Sequence, residues 1–193
     1  MANPDKPSGL TPVRYVDGKP YTGAMNRYYA PASDNTAIYV GGLVKLLTAA
    51  ADADGVMSVT GNVATGNPVI GVVVGIEPET STSLPYRAAS TARYIWVCDD
   101  REVLYRVQDN AGSAKTVAVV GNVADLASFT SGSTTSGRSS IEIATASMTT
   151  SGDGSEDVHI WGIYNSPDNA AGEHCDWLVR LNNWQLVNDF AGI

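Results

Sequence analysis

Side chains that ionise, attack or ligate are scarce in this sequence. It has two histidines, His159 and His174, and two cysteines, Cys98 and Cys175. His174-Cys175-Asp176 sets three ligating types side by side. Adjacent residues seldom converge on one ion, however, and no second Cys/His cluster completes a tetrahedral zinc set. A Cys98–His159 pair would need a third, orienting group and oxyanion donors to act as nucleophile and base. No G-x-S-x-G, H-E-x-x-H or Gly-rich loop ending in Gly-Lys-Ser/Thr supplies such a setting. Asp99, Asp100 and Glu102 fall at an expected turn, whereas acid pairs for glycoside hydrolysis hold one carboxyl in an apolar pocket. Asp52-Ala53-Asp54-Gly55 and the acidic run 153–157 miss the twelve-residue calcium-loop pattern and read as turns. The expectation is a chain with no catalytic residues, no metal site and no cofactor.

The elements around these residues read as scaffold. The longest apolar run is Asn67-Pro68-Val69-Ile70-Gly71-Val72-Val73-Val74-Gly75-Ile76. A run this short and β-branched predicts a strand buried on both faces. Gly71 and Gly75 then mark a bend, a bulge or a close backbone neighbour. Further strands are expected at 37–40, 43–47, 56–60, 93–98, 103–108, 115–120, 139–144, 158–164, 176–181 and 184–187. The 103–108 run is the expected hairpin partner of 93–98. Asn182-Asn183 is a candidate tight turn, since Asn tolerates positive φ. Loops at 77–92 and 130–140 are polar and rich in Ser and Thr, and residues 122–129 are the one candidate helix. The fold class is all-β: a barrel or sandwich of about ten short strands, an extended N-terminal arm and at most one short helix.

Residues 1–30 are expected to form the arm and 31–193 the β body. Three prolines within 1–13 remove backbone donors and favour extended chain. Net charge is −8, which argues against direct nucleic-acid binding. Residues 1–45 nevertheless carry five basic side chains (Lys6, Arg14, Lys19, Arg27, Lys45) against three acidic (Asp5, Asp17, Asp34), so a slightly basic start meets an acidic body. Four of the nine tyrosines lie within 15–29. Tyr and Arg combine apolar bulk with a polar handle and are enriched at interfaces. Arg14, Tyr15, Tyr21, Arg27, Tyr28 and Tyr29 are therefore the candidate partner-binding residues. No apolar run reaches the ~20 residues that span a bilayer, no signal peptide is read at the start, and both thiols are expected to stay reduced.

The chain also resembles a family of tailed-bacteriophage head proteins, the capsid cement or decoration proteins. The stretches that carry the resemblance are Asn3-Pro4-Asp5-Lys6-Pro7-Ser8-Gly9-Leu10-Thr11-Pro12-Val13-Arg14-Tyr15, Arg27-Tyr28-Tyr29-Ala30-Pro31-Ala32-Ser33-Asp34, Ile70-Gly71-Val72-Val73-Val74-Gly75-Ile76, Trp96-Val97-Cys98-Asp99-Asp100 with Tyr105-Arg106-Val107-Gln108, and Trp177-Leu178-Val179-Arg180-Leu181-Asn182-Asn183-Trp184-Gln185-Leu186. They run through almost the whole chain in order. The resemblance implies a non-enzymatic virion protein, made in the bacterial cytoplasm and placed on the capsid exterior. It would bridge neighbouring major capsid subunits and stabilise the expanded shell. A homo-oligomer, dimer or trimer, is expected separately, because a small β body with exposed edges gains from pairing them, and no membrane contact is expected. The alternative from the residues is a head fibre or a receptor- or carbohydrate-binding protein, suggested by the polar loops and the aromatic count. A hydrolase using Cys98 or the 99–102 carboxylates is the third reading.

Overall fold

The computed structural model describes residues 3–186. The architecture is all-β, as the short β-branched runs and frequent turns predict. β1 (Thr11–Tyr15) is followed by β2 (Asn26–Ala30), β3 (Leu43–Ala51), β4 (Met57–Thr60), β5 (Gly71–Ile76) and β6 (Arg93–Cys98). Strands β2 to β6 close a barrel in the order β2-β4-β3-β5-β6, which leaves that sheet no open edge. Its closure needs one parallel contact, Tyr29 against Ser58. The chain continues as β7 (Val103–Gln108), β8 (Val123–Ala124), β9 (Leu126–Ala127), β10 (Glu142–Ile143), β11 (Val158–Ile163) and β12 (Asp176–Leu181). A five-stranded sheet forms in the order β1-β7-β12-β11-β8, and β9 and β10 make a small separate pair.

Two apolar cores result. One fills the barrel with Tyr28, Ile38, Val44, Val59, Ile70, Val73 and Ile95. The other lies between the barrel wall and the inner face of the five-stranded sheet and includes Leu43, Val72, Cys98, Tyr105, Ile160 and Trp177. The 69–76 run feeds both, so it is buried on both faces. Strict alternation would put Ile70 and Val72 in one core, yet Ile70 enters the barrel and Val72 the sandwich. The phase slips at Gly71. It slips again at Gly75, where a bulge between Val73 and Gly75 sends Val74 toward the sandwich core and Ile76 toward the barrel core. The two glycines thus let one strand serve two interiors.

Several sequence expectations are corrected. Residues 3–30 are not an extended arm separate from the body: β1 pairs with β7, β2 is a barrel stave, and Leu10 is buried in the sandwich core, while residues 1 and 2 lie outside the described residues. The prolines did keep 3–10 out of any ladder, but this segment is pinned by Asn3 to Ala170 and Glu173 and by Gln108 to Pro4 and Lys6. Strands β6 and β7 are not a hairpin, since β6 pairs with β5 and β2 while β7 pairs with β1 and β12. The expected helix at 122–129 is the short strands β8 and β9, and single 3-10 turns occur at Val117–Val119 and Thr145–Ser147. Among the described residues Asn182-Asn183 makes no hairpin: Trp184 instead bridges Val69 in parallel, and the end of the expected 184–187 strand lies outside the described residues.

The glycines differ in what surrounds them. A Cβ on Gly71 would collide with the Cys98 carbonyl oxygen, a backbone atom that cannot step aside, whereas one on Gly75 meets the Trp96 ring at an ordinary 3.5 Å. Gly71→Ala is expected to lower unfolding free energy by about 1–3 kcal/mol, and Gly75→Ala to change it by less than about 1 kcal/mol. Urea titration of the two variants against wild type measures both.

Candidate functional site

One surface feature joins exposed aromatic and basic side chains: the outer face of the five-stranded sheet. Inward residues of β11, Val158 and Ile160, alternate with outward His159, and a bulge between Ile160 and Gly162 inserts Trp161 beside it. Register sets Arg14, Leu104, Arg180 and His159 in one outward row, and Thr11, Arg106, Leu178 and Gly162 in the next. Leu104 and Leu178 are buried although they belong to this face. Their cross-strand neighbours include Arg14, Arg106 and Arg180, whose aliphatic stems are long enough to cover apolar surface while the guanidinium stays wet.

A cleft of about 240 Å³ opens here, lined by Arg101, His159, Trp161, Arg180, Leu181, Asn182 and Trp184. Trp161 is 38% exposed and sets its ring edge-on to His159 at 6.4 Å. Glu102 holds both Arg101 and Arg180, and Arg180 also donates to the Arg101 carbonyl. Arg106 pairs with Asp176 at 3.6 Å, while burial, against the pull of Arg106, pushes the Asp176 carboxyl up. Arg14 has no ion-pair partner among the described residues. The result is a cationic and aromatic strip on an acidic protein.

The six residues singled out from sequence divide into three places. Arg14 belongs to this face. Tyr15 and Tyr21 pair their rings at 6.2 Å, and both pack against the sandwich core. Arg27 and Tyr29 lie on the barrel surface around Tyr94: the Arg27 guanidinium sits 3.5 Å over that ring and forks onto Glu77, and Tyr29 packs 5.3 Å away. The Tyr94 hydroxyl donates to Asp52, which pushes its pKa up to about 12 and lowers that of Asp52. Tyr28 is corrected. It is buried in the barrel with its hydroxyl donating to Asp99, which withdraws it from any partner contact. Arg101 and Arg180 are not singled out by sequence; Trp161, whose exposure in a cleft is the expected mark of the carbohydrate-binding alternative, is exposed here as alternation along 158–163 signals.

The groups considered for catalysis are not brought together. Cys98 lies in the sandwich core with its thiol beside the Tyr105 hydroxyl, while His159 is on the opposite face of the sheet. Burial pushes both thiols up, Cys175 to about 12. Asp99 accepts from Asn26 and Tyr28, Asp100 from the Glu102 amide, and Asp52 from the amides of Asp54 and Val56, so these acids fasten turns. One convergence was not foreseen. Asp5, Glu142 and His174 place a ligand atom each within 4.8 Å of one another. Burial, then the charge of Asp5, pushes the Glu142 carboxyl up.

Comparison of the chain with protein families, curated proteins and solved structures returned no match. No helix of the described residues is long and apolar enough to cross a membrane.

Buried thiols of raised pKa are poor nucleophiles. In native protein at neutral pH, Cys98 and Cys175 are expected to react with a thiol-specific reagent about a thousandfold or more slowly than in urea. Fast labelling of either thiol before unfolding would contradict the packing described here.

Proposed function

We propose that this chain is a non-enzymatic structural virion protein that binds the outer surface of a phage head, bridges neighbouring major capsid subunits and stabilises the expanded shell. The reading rests on the ordered resemblance to capsid cement proteins. The observation that supports it physically is the cationic, aromatic outer face of the five-stranded sheet on a protein of net charge −8. Such a face suits an acidic protein surface, with Trp161 as the apolar anchor and Arg14, Arg101 and Arg180 as donors. A homo-oligomer on the head and a location on the capsid exterior belong to the same proposal.

Residues 1–30 cannot be deleted as a clean test, because β1 and β2 would go with them. Point variants serve instead. Purified protein should co-sediment with expanded heads in a fixed ratio to the major capsid protein. The double variant Arg14→Glu, Trp161→Ala should weaken attachment by roughly thirtyfold, the equivalent of about 2 kcal/mol, while its melting curve stays unchanged. Wild-type protein that fails to attach to heads would overturn the proposal.

The exposed Trp161 beside two arginines also favours a second reading, a binder of acidic carbohydrate, because an indole face stacks on sugar rings and guanidinium groups fork onto carboxylates. A glycan screen separates the two: Trp161-dependent binding to acidic sugars, together with no attachment to heads, would select the carbohydrate reading.

A further inference from the structure

The cluster of Asp5, Glu142 and His174 borders the Arg106–Asp176 end of the sheet and is used by neither reading above. Its members come from three distant parts of the chain: the N-terminal segment, β10, and the residue two before β12. Their ligand atoms lie within 4.8 Å of one another, a spacing that one ion can span. The His174 Nδ1 is buried and has no hydrogen-bond partner among the described residues. It stands 3.6 Å from Asp5 Oδ1, too far for a hydrogen bond. A buried polar nitrogen beside a carboxylate and not bonded to it is an unmet requirement.

The surroundings hold the three residues in place. Gln108, the last residue of β7, accepts from the Lys6 amide through Oε1 and donates through Nε2 to the carbonyls of Pro4 and His174. One amide side chain thus clasps the backbone on both sides of Asp5 and at His174 itself. The next two residues hold the third member: Asp109 bridges Ile143, and the Asn110 amide donates to the Ile143 carbonyl, beside Glu142. Asn3 ties the start of the segment to Ala170 and Glu173 with three hydrogen bonds. His174 has φ 55°, a left-handed conformation that non-glycine residues adopt at a cost and that clusters at ligand sites.

We propose that Asp5, Glu142 and His174 form a binding site for a divalent transition-metal ion of the zinc class, which clips the N-terminal segment to the end of the five-stranded sheet. One imidazole and two carboxylates suit Zn²⁺, Co²⁺ or Mn²⁺ better than Ca²⁺ or Mg²⁺, which take all-oxygen sets with more ligands. Three protein ligands leave a fourth position to water. Because the ligands converge only in the folded chain, binding adds to stability by mass action.

The test is calorimetric titration of untagged, chelator-treated protein with Zn²⁺ alone, alongside thermal melts with and without the ion. One saturable site per chain and a raised melting temperature are expected. Asp5→Asn changes an exposed side chain, and His174→Asn substitutes a residue that tolerates positive φ, so both variants should fold. Each should weaken Zn²⁺ binding at least tenfold and abolish the melting shift, whereas His159→Gln should bind as wild type. Co²⁺ added to the chelator-treated protein should give visible absorption bands that Zn²⁺ then bleaches and that His174→Asn removes. Absence of a saturable site, a site that survives both variants unchanged, or Ca²⁺ binding as tightly as Zn²⁺ would each overturn the proposal.

Discussion

The approach of Gly71 to the Cys98 carbonyl is the constraint on which the two halves of the fold depend. Val72 pairs with Cys98 across β5 and β6, and the Cys98 carbonyl oxygen occupies the space that a Cβ on Gly71 would fill. Only four residues separate Cys98 from the start of β7, in a different sheet. The Tyr105 hydroxyl, from the buried centre of β7, reaches back to the Cys98 carbonyl and thiol. A side chain at 71 would displace Cys98, lengthen this contact and part the barrel from the sheet. The strand that feeds both cores therefore also fixes the distance between them.

Buried polar side chains then hold what the sheets do not. Arg87 is fully buried and donates to the carbonyls of Pro31, Asp34, Thr36 and Thr91, with the Asp34 carboxylate alongside. A lone buried charge would be costly, and a pair of this kind is weak evidence for net stability. Its contribution is geometric: one planar guanidinium replaces the ladder that the 31–36 and 87–91 loops lack. Gln108 does the same for the N-terminal segment on a smaller scale, and Asp109 for Trp177, whose indole nitrogen donates to it.

What could be read from the sequence was what depends on neighbours in the chain. The 69–76 run was legible because β-branched residues punctuated by glycine have few other uses, and the 52–55 turn because Asp52 can cap its own hairpin, as it does. Pairing was much less legible. Sequence order suggested that β6 would pair with β7, and only the barrel's demand for β2 and β5 as neighbours of β6 explains why it does not. The Tyr29–Ser58 parallel contact has no local signature. The same limit hid the site residues. An outward Trp161 follows from alternation, but that Arg14 and Arg180 flank the same leucine follows from register alone. Tyr28 and Tyr29 are adjacent and chemically alike, yet alternation sends one into the barrel and leaves the other on its surface.

These constraints bear on how the proposed docking would work. An extended arm loses chain entropy when a partner orders it, whereas a sheet face already has its backbone fixed. On the outer face, Leu104 and Leu178 are buried beside long arginine stems, so the guanidinium groups start from restricted positions. Glu102 and Asp176 restrict Arg101, Arg180 and Arg106 further, at the cost of masking part of their charge. Arg14 and Trp161 carry no such restraint, and they are the groups with most left to gain from a partner. The charge asymmetry that pointed from sequence to a basic arm thus has a different physical meaning in the fold. Arg14 contributes to it by joining, through β1, a face whose other basic residues come from the second half of the chain.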